Sequence, residues 1–242
     1  LETNTDTTEV NRLQIIPSEV LLRPGQKQSF RIHSLSKSGN RMFKVKRVEW
    51  EKFIPPAAKV KVKLDADFND SGMLVTEPNA KLSAGAFKAT SGNISGTIRG
   101  RILPDLPIVQ DFEDFELKIP HKNEDLVFAY PPLPWIGARF KWQIQEQGGN
   151  KVLAKTLDRV LFQRSTVFIG HPDMRDYTMQ LDLMSEGGRR GMAEAGVINQ
   201  RYLVTLKGSH QLMEVSSNHE RIKQSVPFGW KPKTWYRLKA RV

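Results

Sequence analysis

The sequence contains no cysteine among its 242 residues. This absence excludes disulfide bridges, a thiolate nucleophile and zinc bound by cysteine. The sequence also lacks any apolar run of about 18 residues, the length that a membrane-spanning helix needs. Its polar opening, residues 1–10, has neither the basic nor the apolar region of a signal peptide, and we interpret it as a linker. Hydrophobic residues (39%) and charged residues (26%) are in an ordinary globular balance, which provides enough apolar side chains for a core.

The motifs of common catalytic sites are missing too. The sequence has no Gly-x-Ser-x-Gly, no P-loop, no Gly-x-Gly-x-x-Gly and no His-Glu-x-x-His. No two of its five histidines are two to five residues apart, so none forms a local metal-binding pair. His171 and Asp173 could share a turn with a catalytic role, but an ordinary Pro-Asp turn explains them equally well. The sequence identifies no reaction, and these absences favour a non-enzymatic role.

The net charge of +11 is typical of proteins that bind polyanions. Residues 1–110 carry 17 basic and 11 acidic side chains, and residues 111–242 carry 20 and 15, so the surplus (+6 and +5) has no single focus. In the densest run, KVKVKLD (59–65), lysines alternate with apolar residues, as on the exposed face of a strand. We therefore expect no nucleic-acid binding; an acidic polysaccharide or an anionic envelope surface fits the charge better.

The period of two that marks half-buried strands runs through the chain. It is seen in QKQSFRIHSL, KVKVKLD, SGTIRGRIL, YTMQLDLMS, RYLVTLKG and TWYRLKARV, and the segment LMEVSSNHERIKQSVPF predicts a hairpin. Turn residues separate these segments, and no window of a dozen residues has a helical stripe. The pattern predicts an all-β protein built from sandwiches.

The composition changes near residue 104, where LPDLPIVQDFEDFELKIP brings three prolines and several acids. We place a domain boundary there, with a first domain over residues 11–107 and a second over residues 108–242. No internal repeat of propeller or solenoid type is present.

The first domain resembles bacterial Ig-like domains. The resemblance rests on LQIIPSEVLLRPGQKQSF, on VEW with Trp50, and on GAFKA, in which Gly85, Phe87 and Ala89 precede the last strand. It implies an Ig-like β-sandwich with Trp50 as a packed core residue, in a module that serves as a spacer or in adhesion.

The second domain resembles concanavalin-like lectin and glucanase sandwiches, which are jelly rolls. The motifs are DFEDFEL, WIGARFKWQIQEQGGNKVLAKT, DYTMQLDLMS, EAGVINQRYLVTLKG and WKPKTWYRLKARV. The most similar variant is the sandwich of 3-keto-disaccharide hydrolase-like domains. The whole chain is similar to the C-terminal region of secreted bacterial proteins that carry a PQQ-type β-propeller. That resemblance alone implies the PQQ association, and none of these residues would bind that cofactor.

Carboxylates do not form the pair that glucanases of this superfamily use. The acids of DFEDFE precede the central strands, and Asp182 stands alone with Glu186 beyond it. Asp111 and Asp114 could ligate calcium, although a strand on which acids flank Phe112 and Phe115 is the simpler interpretation. We expect no other cofactor.

Ligand-binding candidates are aromatic rings and arginines outside the expected core. Rings can stack on the C–H faces of sugars, and guanidinium groups can bind hydroxyls or carboxylates. The candidates are Trp235, Trp230, Trp135, Arg139, Arg189 and Arg190. Trp142 is expected in the core, and the loop of Arg189 and Arg190 could equally be a solvated loop.

The last segment, TWYRLKARV, predicts a strand with Tyr236, Leu238, Ala240 and Val242 on its apolar face. In the sandwiches it resembles, further strands follow, so we expect the second domain to be incomplete at its C-terminus.

Together these inferences predict a non-catalytic recognition or spacer region of a secreted or periplasmic bacterial multidomain protein. Its expected partners are carbohydrate or other envelope components. Two alternatives stay open from the sequence: a sugar hydrolase of the 3-keto-disaccharide type, and a purely structural protein-interaction module.

Overall fold

A computed structural model of the chain describes residues 9–58, 60–121, 125–139, 141–156, 165–187 and 191–242. Every regular element in these residues is a β-strand, which confirms the predicted all-β class. The described residues contain no helix long and apolar enough to cross a membrane. The chain divides into two compact units, Leu1–His171 and Pro172–Val242. The predicted Ig-like and concanavalin-like domain types, and the boundary at residues 107 and 108, stay predictions.

Two sheets and a small ribbon build most of the first unit. The first sheet has the order β1-β4-β5, the second the order β2-β10-β9-β6, and the ribbon the order β3-β8-β7. The strands are β1 (Val10–Ile16), β2 (Glu19–Leu22), β3 (Lys27–Gln28), β4 (Arg31–Ser36), β5 (Arg41–Lys44), β6 (Glu49–Phe53), β7 (Asp67–Phe68), β8 (Leu74–Val75), β9 (Ser83–Ser91) and β10 (Ile94–Ile102). All neighbours are antiparallel except β2 and β10, which run parallel.

The two sheets share one apolar core, which makes this part of the unit a two-layer sandwich. The first sheet contributes Leu13, Ile15 and Ile32, and the second contributes side chains such as Phe87 and Ile98. Trp50, predicted as a core residue, packs against this cluster. Its ring stacks on that of Phe68, with 3.9 Å between the ring centroids and 8° between the planes.

The lysine-rich segment KVKVKLD does not join a sheet. Its described residues, 60–65, keep the predicted alternation of burial, and Leu64 is only 1% exposed, but no ladder forms. Gly85 and Gly100 are opposite each other on β9 and β10. A Cβ atom on Gly85 would overlap the backbone of Leu64, and one on Gly100 would lie 2.5 Å from the Leu64 side chain. The segment therefore lies against the face of the sheet, and the prediction of a strand here was wrong.

The rest of the first unit has few strands. They form two hairpins, β11 (Ile119–Pro120) with β12 (Val127–Phe128), and β13 (Trp142–Gln147) with β14 (Asn150–Lys155). The strand predicted over DFEDFEL is absent. Asp111 Oδ1 accepts a 3.1 Å hydrogen bond from the N–H of Glu113, and Phe112 has a φ of 68°. These features turn the chain, because an aspartate bonded two residues ahead favours a turn over a strand.

The second unit consists of a two-stranded ladder and a four-stranded sheet. The ladder pairs β15 (Thr178–Leu183) with β20 (Tyr236–Arg241). The sheet follows chain order through β16 (Ala195–Asn199), β17 (Tyr202–Lys207), β18 (Leu212–Ser217) and β19 (Ile222–Pro227). The core between them contains Leu183, Val197, Leu206, Trp230, Leu238 and Ala240. The hairpin predicted over LMEVSSNHERIKQSVPF is confirmed as β18 and β19.

Candidate recognition site

The β15–β20 ladder has one buried face and one exposed face. Leu183, Leu238 and Ala240 point into the core, and the alternate residues of both strands are exposed. Strand alternation therefore collects the polar side chains of the two strands on one surface. In register, this exposed face pairs Thr178 with Arg241, Gln180 with Lys239 and Asp182 with Arg237.

Arg237 and Asp182 form a fork across the ladder. Arg237 Nε donates to Asp182 Oδ1 at 2.8 Å, and Nη2 donates to Oδ2 at 2.9 Å. The hydrogen bond from Arg237 is the main reason that the pKa of the Asp182 carboxyl is lowered; desolvation opposes it, and the charge of Arg237 adds to it. The pKa of Arg237 is raised by the same hydrogen bond and charge. Asp182 is therefore an ionised acceptor, and both side chains are held in one orientation.

Trp235 lies at one end of this face, immediately before β20. Its side chain is 50% exposed, so one part of the indole is available to a ligand. Two hydrogen bonds from backbone N–H groups fix the turn before it. The Lys231 N–H donates to the side-chain hydroxyl of Tyr236 at 2.9 Å, and the Lys233 N–H donates to the Ser185 carbonyl at 2.8 Å. The ring is thus presented from an anchored turn.

The other end of the face is cationic. Lys239 and Arg241 are both exposed, and neither forms an ion pair with a carboxylate among the described residues. Gln180 and Thr178, their partners across the ladder, add uncharged hydrogen-bonding groups. The surface can therefore offer a ring, a fixed ion pair, amide and hydroxyl groups, and two cations to one ligand.

Trp230, a predicted ligand-binding residue, is in the core of the second unit and is only 1% exposed. Its carbonyl accepts a 2.8 Å hydrogen bond from the side-chain amide of Gln211, and its indole packs edge-on to Tyr236, with 6.4 Å between the ring centroids. A ring buried to this degree has no face open to a sugar. Its place shows it as a packing residue.

Trp135 and Arg139 belong to the first unit. Trp135 is half-buried, and its ring meets that of Phe112 edge-on, with 5.8 Å between the centroids. The Arg139 guanidinium lies 4.6 Å from the centre of the Tyr130 ring, a cation–π contact. Both side chains therefore have packing partners in this unit. Trp142 is half-buried on β13. Arg189 and Arg190 lie outside the described residues.

The described part of the chain has no group of three or more histidines and carboxylates able to hold a metal ion. Asp111, one of the two calcium candidates, uses Oδ1 in its turn, and Asp114 is exposed beside it. His171 is 7% exposed. A surface cavity in the first unit is lined by Glu19 and Arg99, which form an ion pair of 2.6 Å and so neutralise each other.

The role of Asp182 was not predicted from the sequence, which indicated only a lone carboxylate. Its pairing with Arg237 depends on the register between two strands that are 53 or more residues apart in the chain, from Leu183 to Tyr236 at the nearest pair. Gln180 and Thr178 were missed for the same reason. No local pattern contains that register.

No protein-family model matches this chain, and no curated protein matches it. Two solved structures are similar to it at a low level, both of the surface layer protein SbsC. The structure of its domains 1–6 has 9% sequence identity and a TM-score of 0.28 over 97% of this chain and 26% of that chain. A structure of residues 31–844 has 8% identity and a TM-score of 0.29 over 90% and 25%. This chain thus spans about a quarter of the length of those structures, and a likeness of this degree supports no conclusion about function.

Proposed function

We propose that this chain is a non-catalytic recognition and spacer region of a secreted bacterial multidomain protein, and that it binds carbohydrate on the exposed face of β15 and β20. The observation that carries the proposal is the half-exposed Trp235 ring beside the Arg237–Asp182 fork. An indole stacks on the apolar C–H face of a sugar ring. The neighbouring fork and the Gln180 amide then offer fixed partners to the sugar hydroxyls.

The same geometry opposes a hydrolytic role for this face. Glycoside hydrolysis needs two carboxyl groups roughly 5–10 Å apart, one of them with a raised pKa so that it can act as an acid. The exposed residues of β15 and β20 include one carboxylate, Asp182. Arg237 lowers the pKa of that carboxyl, so Asp182 stays ionised and cannot donate a proton at neutral pH. This supports recognition without catalysis.

The resemblance to an Ig-like module followed by a concanavalin-like sandwich supports the spacer and envelope parts of the proposal. In this proposal the first unit holds the second at a distance from a partner domain, such as a PQQ-type β-propeller. β-Sandwich modules suit this role because each is held by its own packed core.

The test is a glycan-array screen of the chain beside its Trp235→Ala variant. The control is Leu203→Ala, which removes a side chain of the same unit that is 39% exposed but lies on β17. We expect binding that Trp235→Ala lowers by at least tenfold, equivalent to about 1.4 kcal/mol, and that Leu203→Ala leaves within about twofold. Absence of binding by folded protein to neutral and acidic glycans alike would overturn the carbohydrate proposal and leave a structural interaction module.

A further inference from the structure

The outer face of the β1-β4-β5 sheet carries an unusual set of side chains. Leu13, Ile15 and Ile32 point from these strands into the core. Alternation therefore sends their neighbours outward. In register, Gln14 is opposite His33, and His33 is opposite Lys44 on the next strand. The outward positions of the three strands also include Arg12, Arg31 and Arg41.

The position of Arg41 confirms that these side chains share one surface. Arg41 is opposite Leu35 on the central strand. Its guanidinium nevertheless reaches β1 on the far side, where Nε and Nη2 donate to Gln14 Oε1 at 3.1 and 2.9 Å. The side chain therefore crosses the outer face of β4. It leaves the Gln14 amide nitrogen with no hydrogen bond in the described residues.

The four permanent cations of this face have no carboxylate partners in the part of the chain that the structure describes. Arg12, Arg31, Arg41 and Lys44 are all exposed and form no ion pair with a described residue. On other strands of the same unit, three cationic side chains are paired with carboxylates. The pairs are Lys52 with Asp67, Lys88 with Glu51, and Arg99 with Glu19. The outer face of β1, β4 and β5 therefore clusters four exposed cations that have no ion pair among the described residues.

The pKa of His33, in the middle of the face, is affected by these positive charges. Its pKa is lowered by burial and then by the charges of Arg41, Arg31 and Lys44. Three cations thus act on one imidazole from the strands on which they lie. At neutral pH the ring is uncharged and can both donate and accept a hydrogen bond.

We propose that this face is a second binding site, and that its ligand is an acidic polysaccharide whose carboxylate or sulfate groups pair with Arg12, Arg31, Arg41 and Lys44. Guanidinium groups suit such groups because their N–H bonds match two acceptor oxygens at once. Neighbouring strands are about 4.8 Å apart and alternate residues about 6.8 Å apart, so the cations are arrayed in two dimensions. Gln14 and His33, between them, suit the hydroxyls of a sugar.

The residues on this face favour a polysaccharide over a nucleic acid. Proteins bind single-stranded nucleic acids largely by stacking bases on aromatic rings. The outward positions that the strand register fixes are Arg12, Gln14, Ile16, Arg31, His33, Leu35, Arg41 and Lys44, and none of them is aromatic. Phe43, 55% exposed on β5, lies at the irregularity of the register, so at most one ring borders this face. Recognition here must rest on charge and on hydrogen bonds, which sulfated and carboxylated sugars provide.

The test measures binding of the whole chain to heparin and to polygalacturonate by calorimetry over a range of salt. The variant is Arg31→Gln/Lys44→Gln. Its matched control, Lys61→Gln/Lys63→Gln, removes two exposed cations of the same unit from the segment that lies on the other sheet. We expect the variant to weaken binding at least tenfold and to reduce the slope of log K against log salt by about two. The control should change binding by less than about twofold, with circular dichroism showing all proteins folded.

Two further measurements keep this site distinct from the one on β15 and β20. Trp235→Ala should leave heparin binding to the β1-β4-β5 face unchanged. Each of the two proposed sites can therefore be disproved without affecting the other. Equal losses in the variant and its control would overturn the proposal, because net charge alone would then explain the binding. Tighter binding to a DNA oligonucleotide or to phosphatidylserine vesicles than to both polysaccharides at about 0.15 M salt would overturn it as well.

Discussion

The buried side chain of Asn199 ties β16 to the last strand of the second unit through Ala240. Asn199 is 0% exposed, and its Nδ2 donates to the Ala240 carbonyl at 2.9 Å and to the Tyr177 carbonyl at 3.3 Å. Its Oδ1 has no hydrogen-bond partner among the described residues. The side chain therefore joins β16 to β20, two strands that do not pair with each other in a ladder.

Asn199→Ala should destabilise the protein by about 1–3 kcal/mol, because it removes a buried hydrogen bond to the Ala240 carbonyl and a partly buried one to the Tyr177 carbonyl. Asn199→Asp should cost more, about 3 kcal/mol or above at neutral pH, since a carboxylate would face the same carbonyls with no proton to give. Urea unfolding of both variants measures the two values. Asn11→Ala, at an exposed position of β1, is the control and should change the free energy of unfolding by less than about 0.5 kcal/mol. Equal stability of Asn199→Asp and wild type would contradict the assignment.

Gly85→Ala should be among the most damaging changes of one methyl group in this chain. The new Cβ would meet the backbone of Leu64 and lie 2.9 Å from the Lys63 carbonyl carbon. Backbone atoms cannot rotate away as a side chain can, so we expect a loss of about 3 kcal/mol or more. Thermal unfolding measures it. Gly229→Ala is the control, because no atom lies within 4 Å of its added Cβ; a similar loss there would refute the steric explanation.

The two tryptophans that precede β20, Trp230 and Trp235, should have separate roles, one in stability and one in ligand binding. Trp230→Ala removes a ring that is 1% exposed, and we expect it to lower the free energy of unfolding by about 3–5 kcal/mol. Trp235→Ala removes a ring that is 50% exposed and should change that free energy by about 0.5 kcal/mol or less. Denaturant titration of the two variants decides the point. A large loss of stability in Trp235→Ala would reveal a structural ring instead of a binding surface.

The titration of His33 should respond to Arg41. Burial and three cations lower the pKa of His33 below the ordinary value of 6.5. The unfolded chain therefore takes up this proton first, and stability falls as the pH drops from about 6.5 through the lower pKa of the folded state. Arg41→Gln should raise the pKa of His33, because one of the repelling charges is gone. Proton NMR of the His33 ring measures it. An unchanged pKa in Arg41→Gln, beside an unchanged Lys61→Gln control, would contradict the shared outer face.

Hairpins were the part of the fold that local sequence predicted well. LMEVSSNHERIKQSVPF formed the predicted hairpin of β18 and β19, with Ser217 opposite Ile222, and the alternation of TWYRLKARV placed Leu238 and Ala240 in the core. Val242, expected on the same face, is 40% exposed. These predictions succeeded because the turn residues and the period of two act within a few residues of each other.

The features that the sequence analysis predicted wrongly or missed depend on contacts between distant parts of the chain. KVKVKLD has the period of a strand, but two opposed glycines on β9 and β10 make room for it against the face of the sheet. The outer face of β1, β4 and β5 escaped prediction because its cations are spread over residues 12–44 and meet only through the strand register. Trp230 was expected in a turn, outside the core, but its ring is buried in the core of the second unit. Tertiary packing decided each case.

The Gly148–Gly149 turn between β13 and β14 offers a practical handle on this molecule. Both residues have positive φ values, 62° and 84°, and a Cβ atom on either would meet no other atom within 4 Å. A peptide tag or a fluorophore-binding sequence inserted between them would project away from the hairpin, because exposed loop tips tolerate insertions. Such a reporter would allow the chain to be followed on a surface, and the insertion replaces no residue of either proposed binding face.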